Sequence, residues 1–162
     1  AVPYLWERPD DLRSWVVAGG LWVMALDALD GSFLEAGGAG GGCPGHLCRP
    51  MMLTLLAYCY AASIYGSEAI ELAPDHSAQV RYICAGQYPT ADTIRHFRRA
   101  NRAQVGRCLG RVLDEAWRRK VGERECPPNG AAPSEATARA AIRLLVEQKL
   151  QMAVMMDTAA ED

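Results

Sequence analysis

The stretch RYICAGQYPTADTIRHFRRANR, residues 81–102, predicts two helices separated by a short turn. Gly86 is expected to end the first helix, because glycine adopts the left-handed conformation of a helix C-terminus without strain. Pro89 marks the start of the second helix, with Thr90 as its N-cap. Ile94 and Phe97 are spaced to face the core. The stretch therefore predicts a helix-turn-helix-like unit, whose second helix enters the major groove of DNA.

The outer face of that second helix is rich in arginine. Once the apolar residues face inward, the candidate DNA contacts are Thr90, Thr93, Arg95, His96, Arg98, Arg99 and Arg102. An arginine guanidinium presents its donors in a planar fork that suits phosphates and guanine edges. The start of the helix adds backbone N–H groups that can bind a phosphate. Three or four phosphate contacts predict strongly salt-dependent binding.

Other interpretations of this basic helix stay open. An arginine-rich helix is also typical of a solvated face that docks on acidic neighbours in the same chain. Thr90 and Thr93 suit helix capping as well as phosphate contact. His96 is explained as well by covering the basic face as by contacting phosphate.

Charge is segregated along the chain, although the net charge is only −2. Residues 1–80 hold 3 basic and 9 acidic side chains, residues 81–122 hold 10 and 3, and residues 123–162 hold 4 and 7. A basic block between acidic flanks is typical of a site for a polyanion, or for the acidic part of the same chain.

The remainder of the chain predicts an all-α fold, because no segment alternates apolar and polar residues as a strand does. We expect helices at about 9–29, 51–65 and 100–120, a short helix capped by Ser67, and another opened by Pro74 and Asp75. A glycine-rich connection is expected at 37–48. Residues 1–121 are predicted to form a compact multi-helix domain, 122–133 a linker, and 134–162 a C-terminal helix and tail.

The predicted C-terminal helix, from a cap at Ser134 to about residue 156, is apolar on more than one side. Its apolar residues are Ile142, Leu145, Val146, Leu150, Met152, Val154, Met155 and Met156. One apolar face can pack on the body of the domain and another on a second copy of the same helix. The pattern therefore predicts docking on the body, a homodimer through the C-terminal helix, or both.

The length of the apolar runs and the placement of the cysteines favour a cytoplasmic protein. The longest apolar run, residues 51–66, is about 16 residues long, below the roughly 20 that span a bilayer, so we expect a buried helix and no membrane association. The charged, proline-interrupted start is not typical of a signal peptide. Cys59, Cys84 and Cys108 lie in apolar helical patterns and indicate a reducing compartment. For a DNA-binding protein, that compartment is the nucleoid region of the cytoplasm.

Metal and cofactor sites are not expected. Cys43, His46 and Cys48 are close in sequence, but a fourth ligand and a second closely spaced pair are missing, so a zinc site is not favoured. Their role stays open. A cysteine nucleophile needs a histidine held beside it, and the pattern marks no such pair.

Two segments, PMMLTLLAYCYAASIYGSEAIE (50–71) and VRYICAGQYPTADTIRHFRRAN (80–101), resemble the N-terminal domain of bacterial insertion-sequence transposases of the DDE class. The matching features are, in order, Met51-Met52-Leu53, Leu55-Leu56, Tyr58, Tyr60, Ser67, Ile70-Glu71, Tyr82, Gly86, Pro89, Thr93-Ile94 and Phe97-Arg98. The likeness extends over about residues 5–101.

The resemblance implies a helical domain that recognises double-stranded DNA at element ends and helps a transposase to dimerise. It assigns the DNA contacts to Arg95, Arg98, Arg99 and Arg102. A full transposase adds an RNase H-like core with three carboxylates that hold two metal ions. Residues after 101 do not carry that pattern, and Asp157 is interpreted as a helix-end or tail residue, so we expect no catalysis.

Two origins fit this departure from the family pattern: a fragment of a transposase, or a repurposed domain with a new C-terminal segment. The alternative function is a protein-interaction or dimerisation module that kept the helical scaffold and no longer binds DNA.

Overall fold

Helices make up most of the described part of the chain, which covers residues 11–14, 20–30, 49–123 and 135–161 of a computed structural model. A 3-10 helix at Leu12–Ser14 precedes α1 (Gly20–Asp30), α2 (Arg49–Ala61), α3 (Ser67–His76), α4 (Ala78–Cys84), α5 (Ala91–Ala100), α6 (Arg102–Glu123) and α7 (Glu135–Glu161). No strand occurs in these ranges, so the predicted all-α fold is confirmed. None of these helices is long and apolar enough to cross a membrane.

Helix α2 forms the centre of the domain. All of its residues from Met52 to Ala61 are buried, as its uniformly apolar sequence predicts. Its one buried polar side chain before the tyrosines, Thr54, donates a hydrogen bond to the carbonyl of Pro50 at 3.0 Å, so no hydroxyl is left unpaired there. Helices α1, α4, α6 and α7 pack around α2.

Helix α6 is the second framework element, and it contacts α1, α2 and α7. Its buried stripe repeats at helical spacing and consists of Val105, Cys108, Leu109, Val112, Leu113, Ala116 and Trp117. Each buried aliphatic side chain of this kind contributes about 1.5–3 kcal/mol relative to exposure. The helix extends to Glu123, two residues into the predicted linker.

The helix starts between residues 66 and 78 differ from the sequence prediction. Ser67 is not a side-chain cap but the first residue of α3, and Gly66 occupies the cap position. Pro74 lies inside α3 and does not open a new helix. The next helix begins after Ser77, whose hydroxyl accepts a hydrogen bond from the Val80 backbone N–H. Ser77 therefore supplies the capping chemistry that the prediction assigned to a proline.

The turn before α5 follows the prediction closely. Ala85 and Gly86 adopt φ values of 50° and 82°, so the left-handed C-terminus predicted at Gly86 begins one residue earlier. Thr90 is the N-cap of α5 as predicted, since its hydroxyl accepts from the Thr93 N–H at 3.3 Å. Helix α5 packs chiefly against α3 and α6.

Helix α7 docks on α6 and α2 with one apolar face. Val146 and Leu150 of this face lie over Gly106 and Gly110 of α6, where the missing side chains let the two helices approach closely. The face also carries a buried lysine, Lys149, whose ammonium group donates to the Tyr65 hydroxyl at 3.0 Å. The predicted cap at Ser134, the glycine-rich segment 37–48 and residues 124–133 of the predicted linker lie outside the described residues.

Candidate nucleic-acid interface

The first turn of α5 faces carboxylates of α3. The backbone N–H of Ala91 donates to Oε2 of Glu71 at 3.1 Å, so a carboxylate already lies at the positive end of α5. Arg95, only 14% exposed, contacts Oδ1 of Asp92 at 2.7 Å and Oε1 of Glu68 at 3.7 Å. Acidic residues of the amino-terminal half therefore occupy the place where the sequence predicted a phosphate.

Arg98 corrects a second prediction. The sequence placed it on the outer face, but its side chain is only 5% exposed. Position 98 lies four residues after Ile94, so helical periodicity places it on the same inward face. Its Nη2 is 2.7 Å from Oδ2 of Asp157, whose side chain is 4% exposed. The charge of Arg98 predicts an outward side chain, whereas its spacing from Ile94 predicts the inward position that the structure has.

Asp157 holds three groups at once. Besides Arg98, its carboxylate accepts from the Ser67 backbone N–H at 2.7 Å and from the Ser67 hydroxyl at 2.6 Å. Asp157 lies near the end of α7, as the helix-end prediction has it, but it is not a solvated tail residue, since this buried carboxylate joins the end of α7 to α3 and α5. A buried carboxylate is tolerated when a cation and several donors surround it, as they do here.

The Arg98 guanidinium is incompletely satisfied. Its Nε and Nη1 atoms and the nearby Tyr60 hydroxyl are buried and make no well-aligned hydrogen bond within the described residues. Burial raises the pKa of Tyr60, while the positive charge of Arg98 acts in the opposite direction. The phenol therefore stays neutral beside the guanidinium and offers it no compensating charge.

The remaining predicted contacts are exposed. Thr90 and Thr93 lie at the start of α5, and their hydroxyl oxygens are 2.9 Å apart. His96 is exposed, with Nδ1 3.3 Å from the carbonyl oxygen of Asp92. Arg99 is exposed at the end of α5, and Arg102 begins α6, where its Nη2 lies 3.2 Å from Oε2 of Glu147. The structure thus divides the predicted set into two covered arginines, Arg95 and Arg98, and five exposed residues, of which Arg99 and Arg102 lie at the accessible end of α5.

A groove of about 730 Å³ between α6 and α7 continues from that accessible end. Its floor is apolar and includes Gly106, Gly110, Ile142, Val146 and Leu150. Arg102, Arg107 and Arg143 stand at its edges and are exposed; we call these three residues the arginine rim. Glu147 is the carboxylate among the lining residues, and its contact with Arg102 joins two exposed side chains.

The arginine rim could be predicted only in part. Arg102 was among the predicted contacts, and Arg107 lies within the basic block, but nothing separated Arg107 from the other arginines of α6. Gly106 and Gly110, four residues apart, indicate a close helix contact at this site. Arg143 belongs to a helix that is distant in sequence, and only the docking of α7 brings it to the groove.

The described residues show no arrangement that fits a metal-binding site. These residues contain no group of three or more histidine, cysteine or acidic side chains arranged to hold a metal ion. Cys43, His46 and Cys48 lie outside them. Burial raises the pKa of the Cys59, Cys84 and Cys108 thiols, which makes these cysteines poor nucleophiles.

Comparison with known proteins gives no assignment: no family model matches the chain, and neither the curated proteins nor the solved structures contain a match.

Proposed function

We propose that this helical domain binds double-stranded DNA through the arginine rim together with Arg99, and that it has no nuclease activity of its own. The observation that carries the proposal is the meeting of three exposed arginines from two helices at one groove. The proposal keeps the class of partner predicted from the sequence and moves the contact from the start of α5 to its end and onto α6 and α7.

The charge distribution supports this placement. Arg99, Arg107 and Arg143 are exposed and form no ion pair within the described residues, so their full charge is available to a polyanion. The one ion pair of the rim, between Arg102 and Glu147, is solvent-exposed, and such pairs contribute only about 0–1 kcal/mol. A phosphate can therefore displace Glu147 at little cost.

The other arginines of α6 do not line the groove and have partners of their own. Arg111 donates to the carbonyl of Ala28 at 3.1 Å, and Arg118 and Arg119 contact Asp114 and Glu115 one turn earlier. These contacts satisfy each side chain locally. At the groove end of α6, Arg107 thus has no ion pair within the described residues and lies near the exposed Arg102.

The resemblance to the N-terminal domain of insertion-sequence transposases supports the same partner. It implies a domain that recognises element ends, acts in the cytoplasm at the nucleoid and depends on a separate core for catalysis. On this proposal Arg95 and Arg98 serve the fold in the docked structure, while the arginine rim provides the electrostatic contact.

The test is retention on immobilised duplex DNA during a rising salt gradient. Charge reversal of two rim residues, Arg107→Glu with Arg143→Glu, is expected to abolish retention above low salt. The matched control, Arg118→Glu with Arg139→Glu, changes the same net charge on the same two helices away from the groove and should elute close to wild type. Equal losses in both variants, or no retention of wild type at low salt, contradict the proposal.

A second candidate function is homodimerisation through α7, because that helix exposes apolar side chains on the face opposite its docked one. Leu144, Met152 and Met155 are 60%, 40% and 56% exposed and recur at helical spacing. Methionine is common at adaptable protein-binding surfaces. This face fits a second copy of α7 and is compatible with DNA binding at the groove, because it lies on the other side of the helix.

A further inference from the structure

The end of α7 covers one residue of the predicted DNA-contact set. Arg98 is buried, and its charge is neutralised by Asp157, which lies 59 residues later in the sequence. Arg98 is the one predicted DNA contact that α7, the helix of the C-terminal segment, buries.

We propose that the last turns of α7, residues 151–161, are an autoinhibitory latch, in which Asp157 takes the position of a DNA phosphate on Arg98. Undocking of these turns exposes Arg98 and adds a phosphate contact beside Arg99 and Arg102. This inference rests on the proposed DNA-binding function and gives that function a means of regulation.

The latch is held mainly by the contacts of Asp157 with Arg98 and Ser67 and buries little apolar surface. Among residues 151–160, only Ala153 and Asp157 are buried, and the remaining side chains of these turns are exposed. Little apolar surface therefore opposes undocking, whereas the preceding turns bury Ile142, Val146 and Leu150. Segments with few buried apolar contacts are those that open locally while the rest of a domain stays folded.

The chemistry of the contact also favours exchange. A carboxylate and a phosphate offer the same kind of anionic acceptor to a guanidinium. Arg98 uses Nη2 toward Asp157, while its buried Nε and Nη1 make no well-aligned hydrogen bond within the described residues. A buried donor without a partner is unfavourable, so release restores hydrogen bonding that the docked state lacks. Ser67, which donates twice to Asp157, holds the closed state at the start of α3.

A reversible disulfide can lock the latch. A Cβ built on Gly66 lies 4.0 Å from Cβ of Met156, within the range of about 3.5–4.5 Å found in disulfides. The chain for the experiment carries Gly66→Cys and Met156→Cys, with Cys43, Cys48 and Cys126 replaced by serine. The same chain is prepared with and without Asp157→Asn, and each is compared in the oxidised and the reduced form.

The measurement is the dissociation constant for a 20-base-pair duplex by fluorescence anisotropy at several KCl concentrations. Reduced Asp157→Asn is expected to bind several-fold tighter than its reduced parent, with a slope of log K against log[KCl] steeper by about 0.9, the value for one added phosphate. The oxidised form should show neither change. Adding Arg98→Gln to the reduced chain should remove the gain.

Three results would overturn the latch: an equal gain in the oxidised and reduced forms, a gain that survives Arg98→Gln, or an unchanged salt slope. If Asp157→Asn does not fold, amide hydrogen exchange of the wild-type chain tests the latch instead. The amides of residues 153–160 should exchange faster than those of residues 142–150. Equal protection of the two segments contradicts the inference. If exchange shows release but no form binds DNA at low salt, the proposed function has failed while the local opening stands.

Discussion

Leu150 of α7 lies directly over Gly106 of α6, so closely that a Cβ built on the glycine would be 3.3 Å from Cδ1 of the leucine. One turn later, a Cβ on Gly110 would be 3.7 Å from Cγ2 of Val146, which is ordinary van der Waals contact. These two glycines set the depth at which α7 docks, and with it the position of Arg143 at the groove.

The glycine pair gives a matched prediction about stability. Gly110→Ala should raise the free energy of unfolding by about 0.5–1 kcal/mol, because alanine is the better helix former and the space is sufficient. Gly106→Ala should gain less or lose stability, because the buried Leu150 must move. Urea denaturation of both variants checks this order, and a larger gain at Gly106 would show that α7 docks less closely than described.

We expect the effects of Arg98 and Asp157 substitutions on the free energy of unfolding to be strongly coupled. Arg98→Met leaves a buried carboxylate without its cation and should cost about 3–5 kcal/mol, as should Asp157→Leu, which strands the guanidinium. The double variant should be more stable than the two single losses added together predict, because neither charge is then left alone. A double-mutant cycle from chemical denaturation measures the coupling, and additive losses would mean that the two side chains do not interact.

The presence of the helices, the burial of α2 and the N-cap at Thr90 could be predicted because each depends on residues that are close in sequence. The positions of Arg98 and Asp157 depend instead on a helix contact between residues far apart in sequence. The rule that charges face solvent failed there, since a buried carboxylate offset the charge. The Pro74 prediction failed because Pro74 lies inside α3 although it lacks a backbone N–H, and Ser77 caps the helix that follows.

The buried thiols predict a loss of stability at alkaline pH. Burial raises the pKa of Cys59 well above the ordinary 9.0, so above about pH 9 the unfolded chain loses this proton while the folded chain keeps it. Stability should therefore fall as pH rises through this range, by about 1 kcal/mol per pH unit for each such group. Cys59→Ala should reduce the slope of unfolding free energy between pH 9 and 10.5, whatever its effect on the absolute value.

Tyr60 provides the comparison for that experiment. Burial also raises its pKa above the ordinary value of 10.0, so its contribution begins about one pH unit later. A residual slope above pH 10 in Cys59→Ala is therefore expected. If wild type and Cys59→Ala have the same slope from pH 9 to 10, the thiol is ionised in the folded state and the assigned burial is wrong.

The exposed face of α7 predicts self-association. Leu144→Gln with Met155→Gln should lower the sedimentation-equilibrium mass from dimer to monomer without reducing thermal stability, because both side chains are exposed in one copy of the chain. The control, Leu72→Gln, changes an exposed apolar residue on α3 and should leave association unchanged. A monomeric wild-type protein at high concentration would exclude the homodimer.

The central claim is that the arginine rim contacts the phosphates of duplex DNA, and the salt dependence of binding by neutralised variants tests it most directly. Arg107→Gln with Arg143→Gln should reduce the magnitude of the slope of log K against log[KCl] by about 1.8, which is about 0.9 for each lost phosphate contact. Arg118→Gln with Arg139→Gln should leave the slope unchanged. An unchanged slope in the rim variant, with wild type binding the duplex, would place the DNA elsewhere on the domain and contradict the account.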